Sequence, residues 1–496
     1  MADTWPPVKW LWAQYRANAA WYSGDPDELR AHAAGFWQSA EKTKIHIPLA
    51  GDLAALAAGF LFSDSPIVKH ANEKTNDRLQ EIMSLCGLYQ KLLQAAELQA
   101  VYGGVFVKWN WDTTRAPYPL FRVVPADAGL PYYANGILTS IRFWSVARVD
   151  EDNGGAVWRT EETYTPDGRI LTRLLRGSVE SLGTAEPLNA IPETADIQPE
   201  ANSGTGMLLA TYVPARLPNR LRPYAPYGRS DFDGLRSLFS ALDEAYSSMI
   251  RDIKLGKTQV IVPAEYLRQK KRMFEAIDQA AETQQQPQFA FAKSDEVFVA
   301  LDYTPDAPQG KDIVPFQPLI RAEEHLKTIE DIVRRIVTLA GYAPQSAGLD
   351  IEGRAESGTA LNVRERRSMQ TAETKKTYWW HALMDMMRAG LALDKALFTR
   401  GLALDGDLAV EFADNTQPDM QTLADTLDKL ERAGAVSTDT KVRLLHPDWE
   451  DDQVEEEIER IQEERGLISE GEPDPGLGDL EAPPPGTPED DDAGGE

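Results

Sequence analysis

Two long amphipathic helices with a short insert between them constrain the fold of this sequence more than any other feature. From 231 to 256, apolar residues recur at three- and four-residue steps and predict one helix, with the stripe Phe232, Leu235, Phe239, Leu242, Tyr246, Met249 and Ile253. Ser230 and Asp233 have the spacing of a capping box, so the helix is predicted to begin at Asp231. A second apolar stripe predicts a partner helix over 318–340.

The insert between these helices, residues 257–317, predicts a small α/β unit. Strand-like runs at 259–262 and 296–301 flank a polar helical segment around 264–284. Two amphipathic helices separated by such an insert are typical of a stem that carries a tip.

The chain before the stem begins with helices. Residues 1–100 combine an aromatic opening with Ala/Leu-rich stretches, and Gly103 is predicted to end the last helix. In residues 105–111 a run of apolar side chains alternates with Phe106, Lys108 and Asn110, which predicts a strand with one wetter face.

A β-meander is predicted next. The dipeptides Asn135-Gly136 and Asp167-Gly168 are typical of hairpin turns, and β-rich runs flank both of them. Residues 177–206 are rich in Gly, Pro, Ser, Thr and Glu without periodicity, so they are predicted to be a surface loop or an insertion.

The chain after the stem is predicted to be mainly helical. Residues 341–357 contain too much Gly, Pro and Ser for a helix and predict an ordered loop, followed by a long helix over 359–400 and a short strand over 408–412. Residues 418–466 are again helical in pattern, and 471–496 have the composition of a disordered tail. The fold class predicted from these segments is α+β, mainly α.

Charge separates the end of the chain from its main body. Formal net charge is −27 over 496 residues. From Asp448 onward, twenty acidic residues stand against Arg460 and Arg465, a net charge of −18, which leaves −9 for residues 1–447. This negative net charge repels nucleic acid and anionic membranes, so it argues against a general nucleic-acid binder.

The N-terminus does not resemble a signal peptide, and Cys86, the single cysteine, excludes an internal disulfide.

Motifs for catalysis or metal binding are not apparent in the sequence. Gly256-Lys257-Thr258 resembles the end of a P-loop, but Arg251 stands where the motif needs a glycine, and a helix C-cap is favoured. None of the six histidines has metal-binding helical spacing, and His325 is expected to be solvated or salt-bridged on a helix face. We therefore predict no catalytic residue, no metal site and no cofactor.

An acidic, Trp-rich hydrolase is nevertheless an alternative from the enzyme class. With 78 acidic residues, no pair of carboxylates can be chosen as acid and base. Trp109 and Trp111 share a strand face, and Trp379-Trp380 interrupt an amphipathic helix, which favours core or interface packing over sugar stacking.

The order of several segments resembles the portal proteins of siphovirus-type tailed bacteriophages, the Gp6-like phage portal family. The resemblance lies in 47–68 (IPLAGDLAALAAGFLFSDSPIV), 98–111 with its Tyr-Gly-Gly turn, 229–255 (RSDFDGLRSLFSALDEAYSSMIRDIKL), 316–357, 359–380 (TALNVRERRSMQTAETKKTYWW) and 416–449. The resemblance implies a structural protein, not an enzyme. Another head–tail connector is a second alternative, although such chains are usually shorter and lack the helix–insert–helix stem.

The resemblance also implies a division of the subunit into four parts, wing, stem, clip and crown. In this sequence they would be the wing at 1–230 and 358–414, stem helices at 231–256 and 318–340, the clip at 257–317, a tunnel loop at 341–357 and the crown at 415–470. Subunits would form a ring, expected to be a dodecamer, with an axial channel for double-stranded DNA.

Expected partners follow from the same resemblance. They are further copies of the chain, the terminase large subunit, a head–tail adaptor, the major capsid and scaffolding proteins and the passing duplex, but no membrane. The expected location is the portal vertex of the virion, after synthesis in the bacterial cytoplasm.

Candidate DNA-channel residues lie in and after the tunnel loop. They are Asp350, Glu352, Arg354, Glu356, Arg364, Arg366 and Arg367. Acidic residues would keep a sliding duplex from being held, while the arginines, together with Lys375 and Lys376, would make transient phosphate contacts. Ordinary helix-surface charge paired with Glu365 and Glu373 is an equally good interpretation of these basic residues.

Overall fold

A computed structural model describes twelve parts of the chain: residues 5–40, 43–150, 155–255, 259–263, 298–301, 314–316, 321–349, 358–399, 401–412, 420–446, 449 and 451–464. Within them, residues 255, 259–263, 298–301, 314–316, 358–364, 420–422 and 464 are described by their backbone alone. The chain divides into two compact units, Met1–Asn415 and Thr416–Glu496.

The helices of the first unit follow the sequence prediction closely. They are α1 Lys9–Ser23, α2 Pro26–His32, α3 Leu49–Phe62, α4 Glu73–Leu85, α5 Leu88–Tyr102, α6 Arg236–Leu255, α7 Ala322–Ala340 and α8 Gly358–Leu397. Gly103 ends α5 as predicted, since its φ of 81° is left-handed and its N–H donates a hydrogen bond to the carbonyl of Gln99. Within the described residues, no helix is both long and apolar enough to cross a membrane.

The strands are β1 Ile67–His70, β2 Gly104–Asn110, β3 Leu120–Pro125, β4 Gly129–Ala134, β5 Ile137–Asp150, β6 Ala156–Tyr164, β7 Arg169–Ser178, β8 Ser181–Glu186, β9 Glu200–Asn202, β10 Ala210–Pro214, β11 Gln259–Pro263, β12 Phe298–Leu301, β13 Val314–Phe316 and β14 Leu408–Glu411. The largest sheet of the described chain has the order β4-β5-β6-β7-β8, with β9 added to β7. The smaller sheets have the orders β10-β2-β3, β12-β11-β13 and β1-β14.

The predicted meander is confirmed. Asn135 and Gly136 have φ values of 52° and 79°, the left-handed pair that a two-residue hairpin turn between β4 and β5 needs. The surface loop or insertion predicted for 177–206 is not a loop throughout, because β8 and β9 lie within it. β8 forms by pairing with the edge of β7, and its buried apolar side chain is Leu182. It forms without the alternation of apolar and polar residues that is typical of a strand.

The wetter face predicted for β2 is also wrong. β2 is the middle strand of its sheet, and Lys108 is only 4% exposed. Its Nζ lies 2.6 Å from Glu162 Oε2 and 4.6 Å from the ring centre of Phe143, on the larger sheet. The polar residue on this face is therefore a buried lysine paired with a glutamate. In the sequence it cannot be distinguished from a lysine at a solvent-exposed position of a strand. The core prediction for Trp109 is confirmed, since its Nε1 donates to the carbonyl of Met386 on α8.

The first stem helix begins later than the capping-box spacing predicts. α6 starts at Arg236, and the residues before it form turns, because Gly234 has a left-handed φ of 78° that a helix cannot contain. Ser230 Oγ accepts from the N–H of Phe232 and donates to the carbonyl of Ala100, so no capping box forms. The second stem helix, α7, ends at Ala340 as predicted.

The insert between the two helices contains strands, as predicted. β11 pairs with β12 in parallel and with β13 antiparallel. The polar helical segment predicted around 264–284 and the Gly256-Lys257-Thr258 motif lie outside the described residues.

The chain after α7 also agrees with the prediction. Residues 341–349 contain no α-helix and include a 3₁₀ turn at Pro344–Ala347. The long helix α8 and the short strand β14 follow, and Trp379 is fully buried in the core.

The second unit is helical, as predicted. It contains α9 Met420–Arg432, α10 Thr438–Leu445 and α11 Asp451–Glu464. Ser437 caps α10 by accepting from the N–H of Thr440, and Val442 and Val454 are buried. The disordered tail predicted for 471–496 lies outside the described residues.

Candidate functional site

Asp231 is the centre of a buried charge cluster near the start of α6 and the end of α7. Its carboxylate accepts hydrogen bonds from Lys375 Nζ at 2.6 Å, Arg216 Nη2 at 2.6 Å and the Tyr342 hydroxyl at 2.8 Å. The side chains of Asp231 and Lys375 are 0% and 1% exposed. Burial acts to raise the pKa of Asp231, but the positive charges of Lys375 and Arg216 outweigh it and hold this pKa below its usual range.

Four segments that are far apart in sequence meet in this cluster. Asp231 precedes α6, Arg216 follows β10, Tyr342 follows α7 and Lys375 lies on α8. Arg216 also donates to the carbonyl of Ala340 at 3.1 Å, where a cation is favourable at the C-terminal end of α7. The cluster therefore fixes the start of α6 and the end of α7 against α8.

The root of the predicted tunnel loop is attached to the same place. Gly341 has a φ of 105°, and its carbonyl accepts from Thr371 Oγ1 at 2.6 Å. The N–H of Ala343 donates to Ser368 Oγ at 2.8 Å. Tyr342 and Ala343 are buried, so the first residues of the loop belong to the core and to the surface of α8.

A second buried aspartate, Asp243, attaches the middle of α6 to the N-terminal region. Its carboxylate accepts hydrogen bonds from Trp37 Nε1 and from the N–H of Ile47. His46 Nδ1 lies 2.9 Å from Asp243 Oδ2. The side chain of Asp243 is 1% exposed. Neutral donors thus surround this carboxylate, together with one imidazole.

Two serines on either side of Asp243 in sequence continue a line of polar side chains along α6, here called the polar line. Ser240 Oγ accepts from the N–H of Phe36 at 3.0 Å, and Ser247 Oγ accepts from the N–H of Ile45 at 2.9 Å. Sequence reasoning missed this line, although the spacing of Ser240, Asp243 and Ser247 beside the apolar stripe was a usable signal.

Helices α6 and α7 are also joined to each other. His325 Nε2 on α7 lies 2.9 Å from Asp252 Oδ2 on α6. This agrees with the prediction of a solvated or salt-bridged histidine and gives it a carboxylate partner on the neighbouring helix.

Only part of the predicted DNA-channel set lies within the described chain. Asp350, Glu352, Arg354 and Glu356 lie outside the described residues, and Arg364 is described by its backbone alone, in α8. Arg366 and Arg367 are exposed on α8, close to the attached root of the loop.

The two lysines considered for phosphate contact have different surroundings. Lys375 is buried against Asp231, so it has no surface to offer a phosphate, and that prediction is wrong. The cause is its position on the face of α8 that meets Asp231 and Tyr342. Lys376 Nζ is 2.8 Å from Glu373 Oε1, as the pairing interpretation predicts, but its side chain is only 9% exposed and lies over the ring of Phe412.

A cavity of about 540 Å³ opens beside α6. Small and apolar side chains dominate its lining, including Ala17, Ala33, Phe36 and Ala241, and its acidic lining residue is Glu244. Glycoside hydrolysis uses two carboxylates, so this cavity does not fit the hydrolase alternative. Among the described residues, no group of three or more His, Cys, Asp or Glu side chains could hold a metal ion.

Comparison with known proteins identifies the family. Residues 13–470 match the family described as phage portal protein, SPP1 Gp6-like. No curated protein matches the chain. The match spans nearly the whole sequence and includes α6, α7, the Asp231 cluster and the three helices of the second unit given above.

Solved structures of gene transfer agent (GTA) particles are also similar. A chain in the virion of a native GTA particle is 13% identical with a TM-score of 0.44, over 89% of this chain and 94% of that one. Chains in the neck of an empty particle (C6 symmetry) and of a native particle (C12 symmetry) are each 13% identical over 80% of this chain and 89% of theirs, with TM-scores of 0.45 and 0.42. At these TM-scores the likeness adds nothing to the family assignment.

The class of this protein is therefore that of phage portal proteins, which are structural proteins of the virion at its portal vertex. Within that class, the chain belongs to the SPP1 Gp6-like family.

Proposed function

We propose that copies of this chain form a closed ring, a dodecamer, at one vertex of a phage capsid, and that double-stranded DNA enters and leaves through its axial channel. The observation that carries the proposal is the family match over residues 13–470. Closure of a ring needs heterologous contacts, in which different faces of neighbouring subunits meet.

The subunit would be divided as the family resemblance implies. Residues 1–230 and 358–414 would form the wing, 231–256 and 318–340 the stem, 257–317 the clip, and 415–470 the crown. Support comes from the α6–α7 pair with the β12-β11-β13 sheet between its helices, and from the separate helical unit that begins at Thr416.

The subunit would work mechanically and not as an enzyme. A separate terminase, docked on the clip, would supply the energy of packaging, and a head–tail adaptor would bind the ring after packaging. Capsid and scaffolding proteins would contact its periphery. The net charge of −9 over residues 1–447 supports a channel that repels phosphate and lets a duplex slide.

Residues 341–357 would line the narrowest part of the channel, followed by Arg364, Arg366 and Arg367. Support comes from the attached root of this segment and from the exposure of Arg366 and Arg367. The mixed charges Asp350, Glu352, Arg354 and Glu356 would keep net attraction to the duplex weak.

Electron microscopy of the purified protein tests the ring. Closed rings with a central hole are expected, and native mass spectrometry should give a mass of twelve chains. A monodisperse monomer at concentrations where the protein is soluble would overturn the proposal.

A triple substitution tests the channel assignment. Replacing Asp350, Glu352 and Glu356 with Lys should leave ring assembly intact but slow or stall DNA packaging, because the added positive charge would bind the backbone. Normal packaging rate and normal DNA content of the heads would remove 341–357 from the channel while leaving the ring proposal standing.

A further inference from the structure

The 217–228 loop, which lies between β10 and α6, exposes apolar side chains. Leu217, Leu221 and Tyr224 are 41%, 57% and 102% exposed. In the part of the chain that the structure describes, no hydrogen bond or ring contact of the Tyr224 side chain is found. Full exposure of a tyrosine beside a leucine is unfavourable in a lone subunit, since both would gain by burial.

The loop is nevertheless held firmly at its base. Asn219 is 3% exposed, its Nδ2 donates to the carbonyl of Gly228 at 3.0 Å, and its Oδ1 accepts from the N–H of Leu221 at 3.0 Å. The N–H of Gly228 donates to the Tyr212 hydroxyl, and the ring of Tyr227 packs against Trp10. Prolines in the loop restrict its backbone further. The exposed tip is thus presented on a fixed frame, so little conformational entropy is lost when a partner binds.

The charge of the loop is opposite to that of the chain. Its sequence, LPNRLRPYAPYG, contains Arg220 and Arg222 and no acidic residue, in a protein with a net charge of −27. Arg220 lies 3.8 Å from Asp233, and Arg222 is exposed. The surface that complements this loop is therefore acidic with an apolar centre.

We propose that the 217–228 loop docks onto an acidic surface of a neighbouring copy of this chain and forms part of the contact between subunits. This inference rests on the proposed ring. Tyrosine and arginine are the residue types that most often dominate protein interfaces, and another copy of an acidic chain offers the required charge.

Duplex DNA is the other partner that arginines would suit. A duplex in a channel presents phosphates, which the arginines and the Tyr224 hydroxyl would contact. Leu217 and Leu221 would remain exposed to water, so DNA leaves the apolar part of the loop unexplained. A protein surface accounts for both parts.

The first test replaces the apolar tip. The double variant Leu221→Ser, Tyr224→Ser should fold normally, because both side chains are exposed, and should need at least about tenfold more protein than wild type for half-maximal ring assembly. Mass photometry over a concentration series measures this. The matched control is Ile137→Ser, which removes a side chain that is 69% exposed at the start of β5 and should assemble as wild type does.

A photo-crosslinking amino acid at position 224 provides a second readout. Irradiation of assembled wild-type-like rings should give covalent dimers of the chain, with crosslinks to a surface rich in Asp and Glu.

If wild type forms rings while the double variant assembles equally well and position 224 gives no dimers, the loop inference is wrong and the ring proposal stands. Crosslinks to DNA in filled heads, with assembly unchanged, would also overturn it. If wild type forms no ring, the proposed function fails first.

Discussion

Asp231 and Asp243 are both buried carboxylates that bind α6 to the rest of the subunit, yet their surroundings differ in kind. Lys375 and Arg216 place two positive charges on Asp231, with the Tyr342 hydroxyl as a third donor. Asp243 instead accepts from an indole, a backbone amide and an imidazole nitrogen. One site depends on charge compensation, and the other depends mainly on the number of hydrogen bonds.

The difference matches what each site connects. The Asp231 cluster joins the base of α6 to the end of α7, the root of the following loop and α8, which are distant in sequence. Asp243 joins the middle of α6 to Trp37, His46 and Ile47, which are close together in sequence. A buried charge cluster fails as a unit when one member is removed, whereas separate hydrogen bonds are lost one at a time. The same Asp-to-Asn substitution at each position can therefore distinguish stabilisation by charge compensation from stabilisation by separate hydrogen bonds.

Asp231→Asn should have the largest effect. The amide keeps the size of the side chain but leaves Lys375 and Arg216 without a counter-charge in a buried place, and losing one partner of a buried ion pair costs about 3–5 kcal/mol. The measurement is the urea midpoint at a fixed protein concentration. Asp331→Asn, which breaks an exposed pair with Arg335, is the matched control and should change little. Equal midpoints for the two variants would refute charge compensation at Asp231.

The stability that Asp231 provides should also depend on pH, with a definite sign. Its pKa is lower in the folded protein than in the unfolded chain, so its contribution is complete above the ordinary aspartate value of about 3.9 and is lost as pH falls through the folded value. The difference in urea midpoint between wild type and Asp231→Asn should therefore be constant from about pH 7 to pH 5 and shrink below about pH 4. A difference that grows on acidification would show that the sign is wrong.

Asp243→Asn should have a smaller effect. The Asn side-chain oxygen can keep one or two of the hydrogen bonds, while its amide group faces donors, so a loss of about 1–3 kcal/mol is expected. The same urea series measures it, and Ser247→Ala gives the scale for losing a single acceptor in this line. If Asp243→Asn destabilised the protein as much as Asp231→Asn, the contrast between the two aspartates would disappear.

The sequence predicted the helices well because their apolar stripes are long. The stripe of α6, the end of α7 at Ala340, the long helix α8 and the hairpin at Asn135-Gly136 could all be read from periodicity or turn chemistry. The start of α6 could not, because the capping-box spacing of Ser230 and Asp233 contains no information about the left-handed Gly234 between the turn and the helix.

The buried charges were the part that sequence reasoning could not supply. Lys108 and Lys375 have the same appearance in sequence as exposed lysines, and their partners Glu162 and Asp231 are 54 and 144 residues away. Periodicity reports which side of a helix is apolar but not which charge meets a distant opposite charge. The resemblance to portal proteins identified the family, although it did not indicate that Asp231 joins four segments.

Tyr342→Phe should have the smallest effect and is the sharpest test of how the loop root is held. The substitution removes only the hydroxyl, which donates to Asp231 and accepts from Lys375 at 3.1 Å, so a loss of about 1 kcal/mol is expected while the buried ring keeps its packing. The two cations still compensate Asp231, so the variant should retain the pH dependence of wild type. Combined with Asp231→Asn, it should add less than its separate effect, because residues in one hydrogen-bond network are coupled. Full additivity in this double-mutant cycle would mean that Tyr342 is held by packing alone, and that the charge cluster fixes the helices without fixing the loop that follows α7.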